Sequence, residues 1–284
     1  MKTYKIAIQK SGRLNEKSVE LLKQCGLQFE NYKSSLISTV RNFPLEILFL
    51  RDDDIPEYVQ DGIADLGIVG QNVLLETGAK VCTLQNLGFG KCDLNIAVKS
   101  DSQIQKPSDL TGLSIATSYP NLLAQYLNQN NINATIRNIS GSVEIGPGLG
   151  LSDAIFDIVS TGSTLKNNGL KSIFTVMESE AILIANDTIS NAPQVKELVE
   201  RIRSVLRAIS TKYVVLNVKK DNLNAIVNLL PGVKSPTVIP LYEEDWVAVH
   251  SVINEKDFWE KINLLKLAGA QGIVVMPVEK IITP

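Results

Sequence analysis

Two lobes of alternating strands and helices, followed by a small C-terminal domain, form the α/β architecture that this sequence predicts, on three observations. Apolar β-branched runs alternate with helix-period segments from Tyr4 onward, and the alternation restarts at Leu113 after a polar stretch at 99–109 that contains Pro107. The strand-like stretch 173–184 offers the chain a way back to the first lobe. From Lys212 on, six segments read βαββαβ, a ferredoxin-like unit. The expected boundaries are 1–98 with 173–210 for the first lobe, 99–172 for the second and 211–284 for the C-terminal domain. With 284 residues, 44% of them hydrophobic, the chain can fill cores of that number.

In the first lobe Tyr4–Gln9 reads as a buried strand, and Leu14, Val19, Leu21 and Leu22 give a helix that stops at Gly26. The turn between them holds Lys10, Ser11, Gly12 and Arg13; two cations, a hydroxyl and a glycine suit an anion there, and equally suit solvent. Leu45–Leu50 is a second strand, and it runs into Arg51, Asp52, Asp53 and Asp54. Three successive carboxylates can bind a metal, but Asp54 followed by Pro56 reads more simply as a helix N-cap. Arg51 and Asp52 sit where open α/β sheets place their ligands, at the carboxyl end of a strand. The next strand lies within 62–70, carries Asp65 and ends on Gly70, before a helix that begins at Gln71. Gly67 and Gly70 permit either close backbone approach to a ligand or tight helix-on-sheet packing, and their spacing excludes the dinucleotide fingerprint.

The second lobe reads as strand 113–116, helix 122–127 and strand 134–139. Thr117, Ser118 and Tyr119 stand at a strand's carboxyl end, either facing a cleft or packing as a Tyr-Pro turn. Glu144 lies in a loop, 141–150, with four glycines and one proline. The strongest chemistry comes at 153–169. An apolar run ends on Asp157, and the small residues Ser160, Thr161, Gly162, Ser163 and Thr164 form a turn before a short helical pattern. Gly162 lets the backbone approach an anion, and the surrounding N–H groups and hydroxyls are donors, so the turn reads as a phosphate cradle. Asp157 has the wrong charge for phosphate and the right one for ribose hydroxyls, which points to a ribose phosphate. Asp153 either assists or caps the segment before the strand.

Pro193–Ile209 reads as an amphipathic helix whose Lys196, Arg201, Arg203 and Arg207 form a solvated face. The C-terminal unit has strands at 213–218, 237–241, 246–253 and 272–278 and helices at 223–230 and 256–267. His250 falls on one of its strands as a structural residue, and Trp246 and Trp259 read as core or interface.

Composition excludes several function classes. Lys and Arg number 28 against 30 Asp and Glu, so a net charge of −2 gives no electrostatic footing for nonspecific nucleic-acid or membrane binding. No apolar stretch reaches the roughly 20 residues of a membrane helix, and the N-terminus is strand-like rather than a signal peptide, so a cytoplasmic location is expected. Cys25, Cys82 and Cys92 have neither disulfide-framework nor metal-ligand spacing and read as buried thiols. With His250 the one histidine, structural zinc and the usual general base of a serine or cysteine hydrolase are both disfavoured.

The cradle resembles the phosphoribosyl-pyrophosphate loop of phosphoribosyltransferases. Its neighbours are Gly-Ser-Val-Glu at 141–144, Gly-Leu-Ser-Asp-Ala-Ile at 150–155 and Asn-Gly-Leu at 168–170. Together with Gln-Lys-Ser-Gly-Arg-Leu at 9–14, Asp-Leu-Gly-Ile-Val-Gly at 65–70 and Ile-Ala-Thr-Ser-Tyr-Pro at 115–120, they make the chain resemble, nearly end to end, ATP phosphoribosyltransferase of the long, regulated form. The resemblance implies a two-lobed core of the type II periplasmic-binding-protein kind with the ligand between lobes, and an ACT-like regulatory domain that senses histidine. It implies ATP and phosphoribosyl pyrophosphate (PRPP) as substrates, Mg2+ held mainly through them, and dimers that assemble into hexamers. Residue by residue, it assigns PRPP to Asp157 and to Ser160, Thr161, Gly162, Ser163 and Thr164, with Asp153 or Glu144 assisting at the ribose hydroxyls. The polyphosphates fall to Lys10, Arg13 and Arg51, the adenine pocket to Tyr119 with Asp65 and Gly70, and histidine to Asn217, Ser235 and Thr237. The family commonly carries an arginine at the position of Gly148, so one contact of the family is missing from this sequence. Two competing readings are a non-catalytic two-lobed binder of a small anion and a phosphoribosyltransferase for another base. Phe156, where the latter usually carries a second acid, counts against it.

Overall fold

A computed structural model describes residues 2–30, 35–159, 162–230 and 232–283. It divides into two compact units, 1–196 and 197–284.

The first unit opens with β1 (Tyr4–Gln9), α1 (Arg13–Gln24), β2 (Ile37–Thr39), β3 (Leu45–Leu50), α2 (Ile55–Gln60), β4 (Leu66–Gly70), α3 (Gln71–Thr77) and β5 (Cys82–Asn86). It continues with β6 (Cys92–Lys99), β7 (Ser114–Thr117), α4 (Pro120–Gln129), β8 (Thr135–Asn138), β9 (Ala154–Val159), α5 (Ser163–Asn167) and β10 (Leu170–Ser179), and returns as β11 (Ala181–Ala185). Two sheets result. The first-lobe sheet has the order β2-β3-β1-β4-β11-β5 and the second-lobe sheet β10-β6-β9-β7-β8.

Parallel strands buried on both faces need near-continuous apolar runs, and β1 and β4 supply them with Ile6, Ala7, Ile8, Leu66, Ile68 and Val69, all buried. Gly67 belongs to this packing. A Cβ there would come within 2.7 Å of Ile55 and 3.1 Å of Val59 and Ile184, so the missing side chain lets α2 lie down on the sheet. The second sheet buries Leu94, Ile96 and Phe156 beneath α4 on one face and Ala97, Ile155 and Leu165 on the other.

The lobe boundaries differ from those expected. Strand β6 pairs with β9 and β10 in the second sheet, so the first crossing precedes Cys92 instead of following Val98. Strand β10 stays in that sheet through Ser179, so the return falls at Glu180 rather than near 173. An apolar alternation shows that a strand is buried but not which sheet buries it. Register shifts at Ser172/Phe174 and Thr175/Met177 further blur the period of β10. Asp54 does precede α2, with Pro56 in its first turn, but its side chain makes no capping bond, and residues 52–54 instead form a 3-10 turn.

Helix α6 (Pro193–Ile209) contains the division between the units, and β12 (Thr211–Lys219), α7 (Leu223–Leu229), β13 (Thr237–Pro240), β14 (Trp246–Asn254), α8 (Glu255–Leu267) and β15 (Gln271–Pro277) come after it. The four strands are antiparallel in the order β13-β14-β12-β15, which is the ferredoxin-like topology. Leu216, Val218 and Val249 are packed with Ile226 of α7 and with Phe258 and Leu265 of α8, so both helices cover one face. Asn254 caps α8 by accepting the Lys256 N–H at 3.0 Å. Arg201 and Arg203 pair with Glu197 and Glu200 along α6, a solvated charged face. Trp259 is 66% exposed and therefore not core. Of the cysteines only Cys25 is buried; Cys82 and Cys92 are partly exposed. Among the described residues no helix is long and apolar enough to cross a membrane.

Candidate active site

Parallel strands deliver their C-terminal turns to one sheet edge. In the first lobe the register Gln9↔Leu50 and Ala7↔Gly67 carries Lys10, Arg51 and Gly70 to the same edge. Arg13 joins them after Gly12, whose φ of +91° turns the chain into α1, and all three cations are exposed. In the second lobe β7, β8 and β9 are parallel, with Thr117 opposite both Asn138 and Phe156. Tyr119, Glu144, Asp157 and Gly162 therefore gather at one edge as well.

The two edges are in contact. Asn72 of α3 donates through Nδ2 to the Tyr119 hydroxyl at 3.3 Å. Glu76 of α3 accepts the backbone N–H groups of Asn121 and Leu122 at 2.9 Å each, and Asn121 Nδ2 donates to the Glu76 carbonyl at 2.9 Å. A carboxylate from the first lobe thus satisfies the open N–H groups of α4 in the second, which keeps that helix start from serving as a phosphate site.

Asp157 is half-buried near the end of β9, and one of its oxygens accepts the Ile158 N–H at 2.8 Å. Burial pushes its pKa above the usual carboxylate range, and the nearby charge of Glu144 adds to the rise. Opposite it on β6, Asn95 is only 7% exposed, and its Oδ1 has no partner among the described residues. Gly162 has φ +70°, a left-handed conformation that a side chain would strain, and it starts α5 with Ser163 and Thr164 in the first turn. The predicted contacts of Ser160 and Thr161 lie outside the described residues.

Tyr119 is partly buried, and its ring meets that of Phe156 edge-on with centroids 6.5 Å apart. Burial first, then the charges of Asp157 and Asp52, raise the phenol's pKa and keep it protonated. Of its neighbours, Thr117 does not face the cleft: it is fully buried, and its hydroxyl accepts the Tyr119 N–H at 2.8 Å.

Two sequence candidates stand elsewhere. Asp153 precedes β9, at the end opposite Gly162, where Oδ2 accepts both the backbone N–H and the hydroxyl of Ser114 at 2.8 Å. Those two bonds hold its carboxyl below the usual range. Asp65 precedes β4, five residues and about 16 Å from Gly70. It accepts the Lys5 N–H at 2.8 Å and pairs with Lys2 at 3.1 Å, fastening the starts of β1 and β4. Sequence reasoning missed Asn72, Glu76 and Asn95, since an Asn or Glu on a short helix or strand carries no local signature of its partner.

In the C-terminal unit Thr237 pairs with His250 and Asn217 with Ala248. Because Leu216, Val218 and Val249 point toward α7 and α8, Asn217, Thr237 and His250 share the other face of the sheet. There Tyr213 bonds His250 Nδ1 at 2.9 Å. Ser235 lies in the exposed loop before β13.

The sequence profile of the ATP phosphoribosyltransferase family matches residues 51–204, and that of the HisG C-terminal domain matches 208–280. An ATP phosphoribosyltransferase of Cytophaga hutchinsonii is 54% identical over 280 residues, 98% of either chain. One of Bacteroides thetaiotaomicron is 48% identical over 280 residues, 98% of this chain and 99% of its own. Among solved structures, the ATP phosphoribosyl transferase (HisG:HisZ) complex from Thermotoga maritima contains a chain with TM-score 0.60 and 29% identity, over 70% of this chain and 98% of its own. A histidine kinase sensor domain with similarity to periplasmic binding proteins has TM-score 0.51 at 11% identity, over 72% of this chain and 90% of its own, a likeness of fold alone. With a family profile over more than half its length and close relatives along nearly all of it, the chain belongs to the ATP phosphoribosyltransferase family.

Proposed function

We propose that this chain joins N1 of the adenine of ATP to C1 of PRPP, giving N1-(5-phosphoribosyl)-ATP and pyrophosphate, the first step of histidine biosynthesis. The observation that carries the reading is the half-buried Asp157 followed by the left-handed Gly162 turn, at a sheet edge tied by Asn72 and Tyr119 to the cationic edge of the first lobe. Close relatives named for this activity support it.

Adenine N1 carries no proton at neutral pH, so the nucleophile needs no general base, in keeping with a chain whose one histidine lies in the C-terminal unit. The remaining task is to hold two polyanions together and to stabilise a ribose with oxocarbenium character. Gly162, Ser163 and Thr164, with Ser160 and Thr161, take the 5-phosphate, while Lys10, Arg13 and Arg51 take the polyphosphates. Asp157 accepts from the ribose hydroxyls. A carboxylate strained by burial gains most from such donors, so substrate binding offsets the cost of that burial. Glu144, close enough to Asp157 to raise its pKa, makes with it a pair of hard oxygen donors of the kind magnesium takes. The ion's other ligands would be substrate oxygens and water. When bound, magnesium supplies charge neutralisation of the leaving pyrophosphate.

The same reading makes the C-terminal unit a regulatory domain for histidine, with Asn217 and Thr237 on its open face and Ser235 beside it, in a cytoplasmic enzyme whose dimers assemble into hexamers. Asn217→Ala is then expected to raise the histidine concentration needed for half-inhibition, and an unchanged value would remove Asn217 from that site. The reaction is tested by following the near-ultraviolet absorbance of phosphoribosyl-ATP with magnesium, PRPP and ATP, using adenine and orotate as controls. Product with ATP alone supports the reading; product with orotate or adenine, or none at all, overturns it.

A further inference from the structure

Gly70 ends β4 with ordinary extended φ and ψ, so its backbone does not require glycine. Space does. A Cβ at Gly70 would collide with Asn72 Oδ1, because the Asn72 side chain folds back over it. Asn72 is 4% exposed, and both polar atoms of its side chain have partners. Ser179, at the end of β10, accepts the Asn72 backbone N–H at 3.0 Å and donates its hydroxyl hydrogen to Asn72 Oδ1 at 2.9 Å. With its oxygen so occupied, the amide presents Nδ2 to Tyr119 at 3.3 Å. An amide nitrogen only donates, so the phenol oxygen accepts and its own hydrogen must point elsewhere.

We infer that Asn72 and Ser179 are positioning residues, which fix the Tyr119 hydroxyl as a hydrogen-bond donor to an uncharged acceptor atom of the purine ring. The inference rests on the transferase reading above. An uncharged acceptor is favoured over a phosphate because Asp157 and Asp52 lie near the phenol and would repel an anion. The same surroundings keep the phenol protonated, so the donor persists across neutral pH. Three segments contribute: Asn72 from the first lobe, Ser179 from the last residue before the chain returns, and Tyr119 from the second lobe. The hydrogen-bond chain therefore forms only when the lobes are correctly juxtaposed.

The test is a double-mutant cycle on KM for ATP. Tyr119→Phe removes the donor and should raise KM for ATP about tenfold, the value of one hydrogen bond. Asn72→Asp keeps the shape but replaces the amide donor by an acceptor, so the phenol turns its hydrogen inward and KM for ATP should rise by a similar factor. The double variant should be no worse than either single one, and KM for PRPP should move less than KM for ATP. Ser179→Ala should act in the same direction and Ser179→Thr should restore the wild-type value, which covers the case in which Asn72→Asp does not fold. An Asn72→Asp enzyme with wild-type KM beside an impaired Tyr119→Phe enzyme would mean that the phenol donates to Asn72, and would overturn the inference. Multiplying defects in the double variant would do so too, since Asn72 would then act through packing. Calorimetric titration of the same variants with ATP separates the two readings. Intact ATP binding without turnover in the wild type condemns the transferase reading alone, whereas binding indifferent to Tyr119→Phe condemns the inference.

Discussion

Asp153, just before β9, and Asp157, near its far end, are two carboxylates about 13 Å apart whose pKa values are shifted in opposite directions. Asp153 is exposed and bonded twice by Ser114, and its pKa is held low. Asp157 is half-buried, receives one N–H from the next residue and has its pKa pushed up. A carboxylate whose donors come from its own chain has a structural role. One that is buried short of donors costs stability and is explained by a ligand that supplies them. Glu76 shows that proximity to the cleft is not the criterion, because it lies at the lobe junction with both oxygens already engaged by α4.

Asp157 is where a substitution should have the largest effect. Asp157→Asn should lower kcat/KM by about a hundredfold or more while leaving the melting temperature equal or higher. The sign follows from the raised pKa: the folded state binds the proton more tightly than the unfolded chain, so this group's contribution declines as pH rises through the folded value, and at neutral pH the ionised form is a burden. A variant that unfolds while its surviving molecules turn over normally would reverse the assignment. Next in size, Glu144→Gln should cost about tenfold in kcat/KM and, by removing a like charge, shift the acid limb of the pH profile toward lower pH. An unmoved limb would detach Glu144 from Asp157.

Glu76→Ala should act on stability instead. Loss of a helix cap costs about 1 kcal/mol, which for a unit of this size lowers the melting temperature by roughly 2–4 °C; no shift would show that α4 does not depend on the cap. The smallest effect is expected from Asp153→Asn. Its depressed pKa contributes stability above the unfolded value, and that contribution fades as pH falls through the folded one. The variant should therefore melt slightly earlier than wild type at neutral pH and together with it in acid, with turnover unchanged. The exposure of the site keeps the difference small.

The same distinction sets how far sequence could reach. The strand ending near Asp157, the glycine of its turn and the short helix are contiguous, so local pattern sufficed, as it did for the βαββαβ order of the C-terminal unit. Asp65 and Asp153 entered as ligand residues through the family resemblance, but each stands just before a parallel strand, which puts it at the edge far from Gly70 and Gly162. Asn72, Glu76 and Ser179 were hidden because their partners lie far away in sequence: Tyr119 is 47 residues beyond Asn72, and Ser179 is 107 beyond it. Gly70 hinted at a close approach but not at whether a ligand or a neighbouring amide makes it.

Titration of PRPP with magnesium into wild-type, Asp153→Asn and Asp157→Asn protein by calorimetry tests the central claim most directly. Wild type and Asp153→Asn should bind with equal affinity, and Asp157→Asn at least about tenfold more weakly. Undiminished binding by Asp157→Asn, or a loss confined to Asp153→Asn, would contradict a ribose-phosphate site at the Gly162 end of β9.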